Sequence, residues 1–376
     1  MKTNWQSLTE PTLLLDTRIA KRNLRRMAEK AKRTGVVLNP HFKTHQSAEI
    51  GEWFRAAGIS RISVSSLLMA EYFASHGWND ITVLFPVNVR DLSRIKRLSA
   101  SVSLTLNVIS LGSARFLVEE VIQPVNLIVE VEAGYGRTGI SVNDGDKIEK
   151  LLHYLQQQNR HQFYGFYIHA GHTYDVAGPE EVAEIHLQTL AALGQLKGRW
   201  MADFTELKID MGDTPGCSIM EDFSGIYAIH PGNFIFYDLT QGAVGACEIS
   251  DIAVCVACPV VAKEESRNEI VVHGGAVHFS KDWLTTAGDS GTQMIFGRPV
   301  QLSADRWGAP IPGGFVRKLS QEHGIIRLGR EAFEEIQVGD LIGVLPVHSC
   351  LTADCMGSYL TEEGELLNMM PWRNRA

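Results

Sequence analysis

The segment LNPHFKTHQ, residues 38–46, sets Lys43 between His41 and His45. On an extended strand alternate side chains share a face, so this spacing predicts that the amine and both imidazoles point one way. An amine removed from water holds its proton less tightly and becomes a nucleophile toward carbonyl carbon. Cationic imidazoles beside it would push in the same direction. The plainer alternative is a hydrated lysine next to two hydrogen-bonding histidines.

Two later segments could serve such an amine. MGDTPGCS (211–218) carries Gly212, Thr214 and a proline able to open a helix, and HPGNFIFYD (230–238) carries Gly232 and Asn233. Glycines let backbone approach an anion and a hydroxyl adds a donor. Each cluster alone reads as a turn. Together, opposite an inward lysine, they favour a carbonyl cofactor with a phosphate, and pyridoxal phosphate fits best. EAGYGRTGI places Arg137 where a guanidinium could meet a pyridine nitrogen, or could simply be solvated. GFYIHAGHTY puts Tyr167 and His169 on one strand face, with His172 and Tyr174 in the loop beyond.

VLPVHSCLT holds His348 and Cys350, a pair that a strand would present on one side. Imidazole plus thiolate suits zinc, with manganese a second possibility, and two ligands leave positions open for water or substrate. Buried core packing of both residues is the alternative. The CVAC run (Cys255, Cys258) reads as core, because residues three apart on a strand face opposite sides. Spacing assigns no role to His273, His278 or His323.

These groups need a frame to converge on. From residue 36, eight β-branched runs (VVLNPHFKT, RISVSS, ITVLFPVN, SVSLTLNV, VNLIVEVEAG, GFYIHAG, TELKIDMG, IYAIHPGNF) alternate with segments of helical period. Eight strand–helix units predict an α/β fold, a (β/α)8 TIM-type barrel over residues 17–245, with active groups at the C-terminal strand ends. No Gly-x-Gly-x-x-Gly follows the first strand, which counts against a doubly wound sheet. Beyond about residue 245 short strand-like runs with tight turns predict a C-terminal, mostly antiparallel β domain over 246–376, joined by residues 1–16. A net charge of −8 without a basic block argues against nucleic-acid and membrane partners. No signal-like or membrane-spanning stretch is visible, and six sparse cysteines fit reduced thiols, so a cytoplasmic location is expected.

PHFKTH, GRTGI, YIHAGHTY, GDTP, HPGNFIFYD, SQEHG and PVHSCLT, in this order, resemble the D-threonine aldolase and eukaryotic-type D-serine dehydratase family of alanine-racemase-like (fold type III) pyridoxal-phosphate enzymes. The resemblance covers nearly the whole chain. It implies Lys43 as the Schiff-base lysine and Arg137 beside the pyridine nitrogen. Tyr167, His169, Tyr174, Gly212, Thr214, Gly232 and Asn233 would hold the cofactor, and His348 and Cys350 the metal. It also implies a homodimer and D-configured β-hydroxy amino acids as small-molecule substrates. Asn39 and Gln46 depart from the arginine and lysine expected around the lysine motif. Dehydratases of this family resemble His-x-Cys at the metal pair and its aldolases His-x-Asp, so Cys350 favours dehydration to an α-keto acid and ammonia over cleavage to glycine and an aldehyde. A racemase and a non-catalytic pyridoxal-phosphate protein are the further alternatives.

Overall fold

Eight parallel strands curl into a closed sheet in one of the two units of the computed structural model, which describes residues 5–288 and 291–371. They are β1 (Val37–Leu38), β2 (Ile62–Val64), β3 (Asp80–Pro86), β4 (Ser103–Val108), β5 (Asn126–Glu132), β6 (Gln162–His169), β7 (Lys208–Gly212) and β8 (Ala228–Ile229). From β2 onward each pairs with the next in parallel, and β8 returns to β1 through Ala228↔Val37 and Ile229↔Leu38. A parallel bridge between His41 and Ser63 closes the ring. This unit comprises Arg25–Gly232 and Val244–Ala246.

The strands are shorter than the β-branched runs suggest at two places. Pro40 and Pro231 lack an N–H to continue a ladder, so β1 and β8 stop after two residues each. Serine caps open three of the helices: Ser47, Ser66 and Ser110 accept backbone N–H groups at the starts of Ala48–Ala56, Leu67–Ser75 and Leu111–Glu120. Outward-facing barrel residues pack on these helices. Phe42 lies 4.8 Å from Phe54, 4.9 Å from Phe73 and 5.1 Å from Trp78, ring centre to ring centre.

Inside, the barrel is polar in layers rather than wholly aliphatic. Asn107 donates to Glu130 at 2.6 Å, Asn39 to Thr82 at 3.4 Å, and Asn126 to Thr105 at 3.4 Å. Buried polar groups of this kind fix side-chain positions only when paired, because an unmade hydrogen bond in the interior is costly.

The other unit gathers the described chain up to Leu24, Asn233–Ala243 and the described chain from Cys247 onward. Its main sheet is mostly antiparallel. Strand Val254–Glu264 pairs with Leu341–Pro346, with Glu269–His273 and with the N-terminal Thr12–Leu15. Trp5 stacks on Trp307 at 5.8 Å over a core that includes Leu14 and Ala257. Cys255 and Cys258 are fully buried in this sheet, as core residues, and none of the six described cysteines is in a disulfide. Among the described residues no helix is long and apolar enough to cross a membrane.

Candidate active site

The lysine motif does not lie on a strand. After Pro40 the chain turns, the Gln46 amide donates to the Phe42 carbonyl at 3.0 Å, and Gln46 takes a left-handed φ of 47° before the Ser47 cap. A turn of helical period groups residues three apart, so Phe42 and His45 share a face with rings 4.4 Å apart. His45 is thereby buried among Phe42, Phe54 and Phe73, away from the face that carries Lys43. The expectation of one lysine and two histidines on one strand face is corrected to a lysine and His41 alone. Lys43 is also exposed rather than buried, because the turn lifts it beyond the strand ends. Its amide donates to His41 Nδ1 at 3.2 Å.

Around Lys43 the barrel's C-terminal ends bring together the groups singled out in the sequence. Burial drives His169 down to about 3, and the positive charges of Arg137 and Lys43 add to that. His41 is lowered by desolvation first, then by Lys43, His230, His169 and Arg137. His41 and His169 therefore lie within electrostatic reach of both Lys43 and Arg137, and burial keeps the two imidazoles neutral. Tyr167 is buried, which raises its phenol well above the ordinary value; Glu130 adds to the rise and Arg137 opposes it.

Two carboxylates shape the loop that carries Arg137. Glu132 accepts the amides of Gly134 and Gly136, and Glu130 accepts the Thr138 hydroxyl at 2.6 Å. Gly139 has φ of 107° and its missing Cβ would sit 3.0 Å from the Val131 carbonyl carbon, so only glycine fits. Arg137 itself stands over the Tyr135 ring at 5.4 Å.

The loop after β7 is equally constrained. Asp213 caps Thr214–Ile219 by accepting the Gly216 amide and also accepts the Thr173 hydroxyl at 3.1 Å. Burial nevertheless raises its carboxyl to about 6. The Thr214 amide donates to the Tyr174 hydroxyl at 2.9 Å, which joins the loops after β6 and β7. A Cβ at Gly212 would come 3.2 Å from Tyr167 Oη and 3.1 Å from His230 Cβ. At Gly232 it would come 3.0 Å from the His41 carbonyl oxygen and 3.1 Å from Thr44 Oγ1. Both positions are thus tight for any side chain. Beneath them His230 Nε2 meets Asp210 Oδ2 at 2.9 Å, leaving the buried His230 Nδ1 and Asp210 Oδ1 without a protein partner.

The remaining residues belong to the other unit. His348 and Cys350 are not on a strand either: Leu341–Pro346 ends, His348 takes the N-cap position without a side-chain capping bond, and Cys350 is the second residue of the helix Ser349–Met356. In this first turn the two side chains still meet. Burial lowers His348, but the hydrogen bond and negative charge of Cys350, with Asp238 and Asp282, outweigh it and raise the imidazole to about 9. Asn233 Nδ2 donates to Asp238 Oδ2 at 2.6 Å, Ser349 Oγ at 3.1 Å and Cys350 Sγ at 3.5 Å. Asp238 also accepts the Ser349 amide at 2.9 Å. The Asn233 side chain thus supports the thiol–imidazole pair, and Asp238, five residues on in the same HPGNFIFYD run, anchors it.

Sequence reasoning assigned no role to Glu130, Asp210, Asp213, His230 or Asp238. Each lies within or beside a quoted motif, but its role depends on a partner across strands.

Residues 15–204 match the family model described as "Alanine racemase, N-terminal domain", and residues 253–361 the model described as "Putative serine dehydratase domain". The chain is 26% identical over 389 residues to a D-serine dehydratase of Dictyostelium discoideum, covering 96% of each chain. It is 26% identical over 361 residues to a D-threonine aldolase of Arthrobacter sp, covering 90% of this chain and 85% of that one. The solved structure of D-threo-3-hydroxyaspartate dehydratase from Delftia sp. HT23 superposes with a TM-score of 0.86 at 24% identity, covering 98% of this chain and 99% of that chain.

Proposed function

The chain belongs to the alanine racemase N-terminal domain family, and from that membership we propose a pyridoxal-phosphate- and metal-dependent lyase of D-configured β-hydroxy amino acids that acts as a dehydratase. The observation that carries the reading is the gathering of Lys43, His41, His169 and Arg137 at one end of the barrel. The D-serine dehydratase similarity supports it over the full chain.

The barrel residues fit pyridoxal phosphate on three counts. Lys43 is an accessible amine. Gly212 and Gly232 present bare backbone where a side chain would crowd its neighbours. Thr214 and Tyr174 are joined beside them. Lys43 would hold the aldehyde, Arg137 the ring nitrogen, and Gly212, Thr214, Tyr174 and Gly232 the phosphate, with Tyr167 and His169 bounding the ring. When bound, the group supplies an electron sink for the Cα substituents of an amino acid. His348 and Cys350 fit a divalent metal through their donor types, a thiolate and an imidazole in contact, with zinc preferred over manganese. When bound, the ion supplies Lewis acidity toward a hydroxyl oxygen.

The chain's own residues account for the proton steps. Lys43 Nζ takes the α-proton of the substrate. The neutral His41 and His169 add no positive charge beside that amine. Arg137 would face the ring nitrogen as a hydrogen-bond donor and so leave that nitrogen unprotonated. Net, one water is lost across Cα–Cβ and one water hydrolyses the product, giving an α-keto acid and ammonia. The Arthrobacter similarity favours a second reading, retro-aldol cleavage to glycine and an aldehyde.

Product analysis on D-serine, D-threonine and D-3-hydroxyaspartate, with and without zinc or manganese, tests the choice. An α-keto acid with equimolar ammonia is expected. Glycine plus aldehyde as main products selects the aldolase, and no turnover of any of the three removes the lyase reading. A homodimer and a cytoplasmic location belong to the same proposal.

A further inference from the structure

We propose that His273, His278 and Glu322 form a second divalent-metal site, distinct in its residues from the His348–Cys350 pair. One ligating atom from each of the three lies within 4.8 Å of the others. His273 Nε2 is 3.7 Å, and His278 Nε2 3.9 Å, from the same Glu322 carboxylate oxygen, Oε2. Ligands held at about 2.1 Å around a tetrahedral ion stand roughly 3.4 Å apart. The two gaps to Glu322 are therefore within about half an ångström of that spacing, while the two imidazoles, within 4.8 Å of each other, would draw together on loading.

The backbone is built to bring these groups together. His273 ends the strand Glu269–His273, whose register places it opposite His323 in His323–Arg327. Glu322 precedes that partner in the turn. Gly274 then donates to the Glu322 carbonyl at 2.9 Å, Ala276 to Ser320 at 2.7 Å and Val277 to Gln321 at 3.2 Å. A Cβ at Gly275 would lie 2.3 Å from the Gln321 carbonyl oxygen, and one at Gly324 would lie 2.5 Å from that of Gly274. Glycine at both positions allows this approach, and the short helix Ala276–Phe279 carries His278 to the turn.

The surrounding donors fit ligation by imidazole. His273 Nδ1 faces Glu10 Oε2 at 3.4 Å. A carboxylate on one ring nitrogen holds the proton there and leaves the lone pair on the other, here Nε2 facing Glu322. His278 presents a competing bond, since its Nδ1 accepts the Gly275 amide at 3.1 Å. Coordination through Nε2 requires a proton on Nδ1, so loading must release that amide. Two neutral imidazoles and one carboxylate select zinc or a similar ion over calcium or magnesium, which prefer oxygen ligands. The side chains of His273, His278 and Glu322 are 34%, 16% and 48% exposed, so an ion can enter and retain water. Its structural effect is to tie the N-terminal segment at Glu10, the strand end at His273 and the hairpin turn at Glu322.

Chelator-stripped full-length protein, titrated with zinc against a chromophoric competitor, tests the site. Two ions per chain are expected for the parent and one each for His278→Ala and His348→Ala. Glu322→Gln, which keeps shape and hydrogen bonding, should bind the second ion ten- to a hundredfold more weakly. The Gly275 amide resonance should shift on loading. Zinc stoichiometry and affinity unchanged in both His278→Ala and Glu322→Gln overturn the inference. A single parent ion that survives His348→Ala but not His278→Ala supports it while removing the His348–Cys350 pair as a metal site.

Discussion

His230 Nε2 lies 2.9 Å from Asp210 Oδ2, and neither side chain is more than 1% exposed. Asp210 is on β7 and His230 follows β8, the adjacent strand, so the pair ties two barrel staves from within. Removing one partner of a buried pair leaves the other uncompensated, which typically costs about 3–5 kcal/mol. Asp210→Ala should lose that much in urea denaturation, while Asp210→Asn, which retains an acceptor, should lose about 1 kcal/mol. A parent-like midpoint for Asp210→Ala would show that the pair contributes little to the fold.

His45 sets an acid limit on stability. Burial lowers its folded-state value from 6.5 to about 3, partly opposed by the hydrogen bond with Ser47. Below pH 6.5 the unfolded chain takes up a proton that the folded chain refuses. Stability from this group is thus whole above 6.5 and falls as pH drops toward 3, by up to about 1.4 kcal/mol per pH unit. His45→Asn preserves an acceptor for the Ser47 amide and cannot titrate, so its denaturation midpoint should fall less steeply across that window. Equal slopes for the two proteins would show that another group governs acid unfolding.

Asp238 should control metal affinity at His348 and Cys350 without being a ligand there. It holds Asn233 and the Ser349 amide, which flank the thiol. Loss of such a supporting carboxylate typically weakens metal binding ten- to a hundredfold. Competitive zinc titration of Asp238→Ala, with Cys355→Ala as the control at an unrelated thiol, measures the effect. Undiminished affinity in Asp238→Ala would assign the carboxylate to folding alone.

Lys43 carries the sharpest expectation. Borohydride reduction of yellow, purified protein should leave a pyridoxyl adduct that maps to position 43, and Lys43→Ala should lose both adduct and colour. Turnover should fall by at least the 10²- to 10⁴-fold typical of a lost acid–base group. An adduct at another lysine would relocate the site.

The sequence made the barrel readable because eight apolar runs alternate with helical periods, and the expected strand order is the one observed. Its errors cluster at prolines. The run 36–44 reads as one strand by composition, yet Pro40 ends β1 and converts the lysine motif into a turn, so alternation assigned His45 to the wrong face. The His348–Cys350 contact was expected for a strand and arises instead at a helix start. Partners far apart along the chain were beyond reach. Asp210 and His230 meet only because β7 and β8 are neighbours, and Glu322 meets His273 and His278 only through a hairpin register.

The two shortest staves, β1 and β8, share just two paired positions, whereas β5 and β6 share six. With two rungs to β8 and a single bridge to β2, β1 is the stave where the cylinder breathes most readily, and its amides should be among the first in the wall to exchange with deuterated solvent. Lys43 hangs directly beyond it. An amine that must let go of one bonding partner and then reach for a proton benefits from a mooring with slack, and the early stop at Pro40 supplies it.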